Sequence, residues 1–595
     1  VMKLPKPKKK FIRSQSWIAF LLAVVVIVNM ICWGPMSSMI SLATEKNDIQ
    51  KETSDAATAL CEQIADEGIV LLKNENGRLP LEEGTKLNVF GWASTNPVYG
   101  GTGSGGLSDA YPTVSLLEGL ENAGFEVNGE LVDFYKNFRE TRPTVGMWGQ
   151  EWTIPEPTIE EYDEAGIFES AKEYSDTAVV VISRSGGEGA DLPTSLDPEV
   201  EDTFEAGDAF GASGLRISDQ KDDLDASKHF LELTNREQAM LDRVAADYED
   251  IIVVVNAANA MELGFVDEYE QISSVLWCPG TGQSGFNSLG SILKGETNPS
   301  AKTSDTFVRD LTKTPTYNNF GFFAYDNMDE FEVDGFVPNF VNYTDGIYVG
   351  YRFYETAAEE GLINYEEMVQ YPFGYGLSYT TFEQKMGELE VKDGTISVDV
   401  TVTNTGDAAG KDVVEIYYNP PYTNGGIEKA SVNLIGFEKT EVLEPGESET
   451  VTVTFAEEDM ASYDDINAKA YVLEAGDYEI SLRTDSHTVV DTKTHTVDET
   501  ITYSGENGRS TDETTATNQL DFANGDVTYL SRANGFANYA EATAAPTNFT
   551  MSEEDKATFM NNSNYNPEDY NDESDEMPTT GAKKRTGTRR SQRRG

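Results

Sequence analysis

The stretch Arg184-Ser-Gly-Gly-Glu188-Gly-Ala-Asp191 sets one glutamate between glycines, with an arginine and an aspartate close by in sequence. A carboxyl held there by backbone can act as a general acid once desolvation or a second carboxylate raises its pKa, and the glycines let a partner surface close over it. Spacing alone does not separate this from a solvated loop glutamate. A second stretch, Gly101-Thr-Gly103-Ser-Gly-Gly106, has the form G-x-G-x-x-G. It starts about eight residues past the nearest apolar run and Pro112 interrupts the approach to the next helix, so a dinucleotide loop does not fit. No Gly-Lys-Ser/Thr follows for a phosphate loop, and the stretch by itself reads as a flexible loop. Cys32, Cys61 and Cys278 stand far apart, and His229, His487 and His495 form no ligand spacing with them or with each other. Neither a disulfide scaffold nor a metal centre is expected, and no cofactor.

The elements that must position these residues follow from hydrophobic pattern. Leu87 to Trp92, Ala178 to Ile182, Ile251 to Val255 and Ser274 to Trp277 are apolar runs too short for helices, each ending in small or polar residues. They read as buried parallel strands. Between them lie helix signals: Thr234 and Glu237 make a capping box, and Leu241, Val244, Ala245 and Tyr248 line one face behind it. A helix around Leu60 to Val70 leads into Leu71 to Leu81 and a turn. The alternation predicts an α/β sandwich with a mostly parallel sheet, whose ligand site lies beyond the carboxyl ends of the strands. The segments at those ends are 93–106, 183–191, 256–262 and 278–284.

From Gly387 the period switches to two. Ile396, Val398, Val400 and Val402 alternate with Ser397, Asp399, Thr401 and Thr403, and further short strands continue to Leu482 with turns at Asn404-Thr-Gly406, Pro445-Gly446 and Ala475-Gly476. Seven or so short strands in about a hundred residues predict an immunoglobulin-like β-sandwich. Beyond about Thr500 the chain is rich in Asn, Asp, Glu, Ser and Thr, which predicts a linker.

The 103 acidic residues against 44 basic ones, a formal charge of -59, make a surface that repels phosphate backbones, so nucleic acid is not an expected partner. The ends differ from the body. Six cations precede an uncharged run from Trp17 to Trp33 whose continuation reaches Ile40, which predicts a single-pass signal anchor with the bulk of the chain outside the cell membrane. A cleaved signal peptide ending near Ser41-Leu42-Ala43 is the competing reading. The expected layout is therefore a cytoplasmic flank 1–16, an anchor 17–40, an α/β domain 52–386, a sandwich 387–500, an acidic linker 501–582 and a basic tail 583–595.

Taken together, the segments resemble glycoside hydrolase family 3, circularly permuted type: its second α/β domain followed by its fibronectin type III-like domain. The resemblance rests on Leu71-Leu-Lys-Asn-Glu75 with Leu79-Pro-Leu81, the Gly100 to Gly106 loop, Asn298 to Phe307, Tyr348-Val-Gly-Tyr-Arg-Phe-Tyr354 and, above all, Phe373-Gly-Tyr-Gly-Leu-Ser-Tyr-Thr-Thr-Phe382. Ala301 stands where the family usually has glycine. Val402 to Gly406, Gly436-Phe437 and Leu443 to Gly446 carry it into the sandwich. The resemblance implies a retaining, β-glucosidase-like hydrolase acting on a β-linked oligosaccharide or glycoside, with Glu188 as general acid/base. Ser104, Arg184 and Asp191 are then candidates for shaping the sugar site or for structural roles in their loops. The family's nucleophilic aspartate belongs to a (β/α)8 barrel, which in permuted members follows the sandwich. Met577 to Gly581 resembles the threshold of that barrel, yet no Ser-Asp-Trp-like motif occurs here. The chain is expected to be truncated or frameshifted and inactive alone, and whether a separately encoded barrel joins it as a partner is left open by the sequence. A non-catalytic cell-surface glycan-binding module is the alternative.

Overall fold

The computed structural model describes residues 51–557 except 103–104, 108–110, 147–148, 189–191, 199–215, 322, 329–337 and 513–526, together with positions 6, 8–10, 15–17, 20–21 and 24. The chain divides into two units, residues 1–60 and 61–595. Among the described residues no helix is long and apolar enough to cross a membrane, which overturns the expected single-pass cell-membrane localisation. Most of 17–40, the basic tail and Met577 to Gly581 lie outside the described residues.

Helix α1 spans Lys51–Asp66. Strands β1 (Val70–Asn74), β2 (Lys86–Phe90), β3 (Glu126–Val127), β4 (Ala178–Arg184), β5 (Ile251–Ala257) and β6 (Ile272–Trp277) then form one sheet in the order β1-β6-β5-β4-β2-β3. All pairs are parallel except β1 with β6. Successive side chains of a strand point to opposite faces, so Val179, Val181, Ile252 and Val254 enter one core with Leu116 and Leu120 of α2 (Leu116–Asn122) and Leu289 and Ile292 of α7 (Phe286–Lys294). Val180, Ile182, Val253 and Val255 enter the other, with Tyr135 of α3 (Gly129–Phe138), Tyr162 of α4 (Ile159–Glu164), Phe168 of α5 (Ile167–Tyr174) and Leu241 of α6 (Asn235–Asp247). With both faces covered, the strands need no polar side, which is why they read as unbroken apolar runs. The capping box forms as the sequence predicts: the Thr234 hydroxyl accepts from Glu237 N, and Glu237 accepts from Thr234 N.

The second domain is a β-sandwich. β7 (Phe382–Lys392), β8 (Thr395–Asn404) and β11 (Ser448–Ala456) make one sheet; β10 (Asn433–Lys439), β9 (Val413–Asn419), β12 (Gly476–Arg483) and β13 (Val489–Val497) make the other. Ile396, Val398, Val400 and Val402 meet Val414, Ile416, Ile480 and Leu482 between them. Asn298 joins the domains, donating to Ala409 O at 2.9 Å while its Oδ1 accepts from Ser378 Oγ and Tyr379 N, each at 2.8 Å. The Phe373-Gly-Tyr-Gly turn needs its glycines because a Cβ on Gly376 would lie 2.1 Å from Ala301 O, and one on Gly374, at φ +83°, would lie 2.3 Å from Glu415 Oε2.

Residues 527–557 depart from the expected linker. Leu530, Phe536 and Ala542 are buried, and Arg532 donates to Glu360 Oε1 at 2.7 Å and Glu359 Oε1 at 2.9 Å at the end of α8 (Tyr351–Glu359). Met551 and Asn327 exchange hydrogen bonds of 2.9 and 2.7 Å. Three widely spaced apolar residues in a polar segment produce no periodic signal, so this docking is invisible to pattern reading.

Candidate functional site

The four strand-end segments meet at one edge. Asn256, at the end of β5, bridges three of them: its Oδ1 accepts from Val98 N at 2.6 Å, and its Nδ2 donates to Val98 O at 2.9 Å and to Cys278 O at 3.0 Å. Gly282 N donates to Tyr99 O at 2.7 Å. Next to it Gly280 packs so closely on the first loop that a Cβ would lie 2.8 Å from Gly100 Cα. The fourth segment arrives beside β2, the neighbour of β4 in the sheet: the Thr102 hydroxyl donates to the main-chain oxygen of Glu188 at 2.9 Å.

Glu188 stands exposed in a turn at the edge of the sheet. Arg184, the last residue of β4, points the other way and is 1% exposed. Its Nε donates to Phe230 O at 2.7 Å, its Nη1 to Ser183 O and Glu237 Oε1 at 2.9 Å each, and its Nη2 to Glu237 Oε2 at 2.7 Å and to Glu232 O. All five guanidinium N–H groups are thus taken by protein acceptors. Arg184 therefore builds the strand end and has no donor left for a sugar, so of the two roles left open for it the geometry supports the structural one and not a substrate contact. Ser104 and Asp191 lie outside the described residues.

Arg142 reaches the same strand end from the segment after α3. Its Nε donates to Asn96 O at 2.8 Å, its Nη2 to Ser183 Oγ at 2.6 Å and its Nη1 makes a long contact of 3.5 Å to Ser185 Oγ, with Trp92 under its guanidinium at 5.2 Å. It lines a small recess with Ser183, Ser185, Trp152 and Phe230. Burial, with a smaller push from the Arg184 cation, lowers it to about 10. A lone arginine in Thr-Arg-Pro-Thr carries no pattern that could have flagged it.

Beneath the edge lies a carboxyl that pattern reading also passes over. Glu156 is 2% exposed and accepts from Trp92 N at 2.9 Å and from the Tyr162 hydroxyl at 2.5 Å; Tyr162 and Tyr135 hydroxyls are 2.7 Å apart, and Gly91 N donates to Tyr135 at 2.7 Å. Burial pushes Glu156 up to about 8, and Glu415 beneath Gly374 likewise to about 8. The folded chain holds these protons between about pH 4.5 and 8 while the unfolded chain does not, so the stability they carry is present near pH 4.5 and is lost as the pH rises towards 8. Urea midpoints should therefore fall between pH 5.5 and 7.5, and Glu156→Gln should flatten that fall. An unchanged slope in the variant would show that Glu156 does not titrate in this range.

His229, Glu232 and Glu262 place ligand-type atoms within 4.8 Å of one another, although the sequence spacing suggests no such group. Leu231 N donates to His229 Nδ1 at 3.2 Å, which puts the ring proton on Nε2, where it faces Glu262 Oε1 at 3.0 Å. A metal would need that Nε2 lone pair. The donor set fits a hydrogen-bonded cluster better than a metal centre.

The fold and this edge define an α/β-sheet domain followed by a β-sandwich, with a glycine-flanked glutamate at the carboxyl ends of the parallel strands. Residues 69–379 match the glycosyl hydrolase family 3 C-terminal domain and residues 412–486 the fibronectin type III-like domain. The chain belongs to glycosyl hydrolase family 3. It is 34% identical over 474 residues to beta-glucosidase A of Butyrivibrio fibrisolvens, covering 76% of this chain and 52% of that protein. A beta-glucosidase of Ruminococcus albus is 32% identical over 445 residues, covering 74% and 40%. The structure of beta-glucosidase 3B from Thermotoga neapolitana in complex with glucose superposes with a TM-score of 0.58 at 29% identity, covering 77% of this chain and 56% of that one. The chain spans about half the length of the curated relatives it matches.

Proposed function

We propose that this chain supplies the acid/base carboxyl of a retaining β-glycosidase site acting on a β-linked glycoside, with the nucleophile contributed by the family's barrel. The observation that carries the reading is Glu188 itself: exposed at the strand-end edge, in the Ser-Gly-Gly-Glu-Gly turn, with its carbonyl held by the neighbouring loop. Its carboxyl would protonate the glycosidic oxygen as the bond to the sugar breaks and the nucleophilic carboxylate forms a glycosyl ester. The resulting Glu188 carboxylate would then take a proton from the water that cleaves the ester. Such a route needs the two carboxyls roughly 5–5.5 Å apart. The family's nucleophile belongs to its barrel, and a glycan-binding accessory module using the same exposed strand-end loops is the second reading. The similarity to beta-glucosidases supports a β-glucoside as substrate.

The test is aryl-β-glucoside hydrolysis by the full chain alone and by the full chain joined in frame to the barrel of a family member. No turnover alone and clear turnover when joined is the expected outcome. Turnover by the chain alone would sink the shared-site reading, and none in either form would favour the binding module.

A further inference from the structure

We propose that Thr102 is a positioning residue for the Glu188 carboxyl, a role that rests on the acid/base reading above. Thr102 lies on the loop after β2 and Glu188 on the loop after β4, neighbours in the sheet. The hydroxyl of Thr102 spends its proton on the Glu188 main-chain oxygen at 2.9 Å and so acts on where the residue sits, without touching its charge. The contact is built from both sides. Gly187 has φ +148°, and a Cβ there would lie 2.5 Å from Thr102 N and 2.8 Å from Thr102 Oγ1, so the residue before the acid is a glycine because Thr102 occupies the space of its side chain. On the opposite side a Cβ on Gly186 would lie 2.9 Å from Asn259 Oδ1, on the loop after β5.

The need for such a clamp follows from the turn's composition. Two glycines before an exposed glutamate leave the backbone many conformations, and a general acid must reach within about 2.6–3.2 Å of the leaving oxygen. A misplacement of about 1 Å can cost roughly 10²-fold in rate. Threonine suits the task because its β-branch restricts χ1 and keeps the hydroxyl aimed.

The experiment compares Thr102→Val, which keeps the shape and loses the hydroxyl, with Thr102→Ser, which keeps the hydroxyl. Both are made in the joined enzyme and assayed on aryl β-glucosides of increasing leaving-group pKa. Thr102→Val should lose roughly tenfold to 10²-fold in kcat on the poorest leaving groups, little on the most activated one, with KM nearly constant, and Thr102→Ser should recover most of the loss. A loss equal for all leaving groups, or one confined to KM, would overturn the proposal in favour of a sugar contact or a folding defect. Glu188→Gln run in parallel separates the two claims: if it shows no leaving-group dependence, the acid/base reading falls. Amide hydrogen exchange over residues 185–188 of the full chain alone then decides the clamp, with faster exchange in Thr102→Val supporting it and unchanged exchange overturning it.

Discussion

Glu188→Gln in the joined enzyme should lower kcat/KM by roughly 10² to 10⁴-fold on glycosides with poor leaving groups, the usual size of a general-acid contribution. Glutamine keeps the shape and cannot give a proton. The loss should shrink on activated aryl glycosides, whose oxygen departs with little protonation, and the bond-breaking step should lose the limb of its pH profile that reports the protonated acid. Glutamine at an exposed turn position should leave the urea midpoint of the full chain unchanged, which separates chemistry from folding. A uniform loss across leaving groups would mean that Glu188 serves binding, and the acid would have to be sought among other carboxyls of the strand-end loops.

Arg184→Met should be the most destabilising single change at the edge. It strips the partner from Glu237, whose side chain is 5% exposed, and leaves a buried carboxylate with its remaining bonds to the helix cap alone. Breaking such a pair costs about 3–5 kcal/mol, because the desolvated charge is left uncompensated. The double variant Arg184→Met with Glu237→Gln should recover a good part of that, since glutamine removes the buried charge and its oxygen can still accept from Thr234 N. Urea unfolding of the α/β domain, read as a double-mutant cycle, measures the recovery. Equal instability of the single and double variants would show that the bonds from Arg184 to Phe230 O and Glu232 O, and not the ion pair, hold the strand end. In the joined enzyme the single variant should also lower activity, because Ser185 to Glu188 continue directly from β4.

Much of the architecture is legible from local pattern. Ile396 to Val402 alternate because one face of β8 meets a second sheet, and the runs at 178–184 and 251–257 do not alternate because helices cover both of their faces. Thr234 and Glu237 announce their helix because a cap is satisfied within three residues. The same kind of reading misled where contacts are too sparse to form a period, in the docked segment 527–557, and the anchor expected after Trp17 has no spanning helix among the described residues.

The sequence by itself also determined that a glycine-flanked glutamate would sit past the end of a buried strand, since composition and run length suffice for that. Only the tertiary structure decided the rest of the edge. Strand order placed β2 beside β4 and so brought Thr102 to Glu188, 86 residues away in the chain. Packing of α6 against β4 turned Arg184 inward onto Glu237, and Tyr162 of α4 met Trp92, just past β2, on the buried Glu156. These pairings depend on which elements become neighbours and which faces they show each other, and no local period in the chain encodes that.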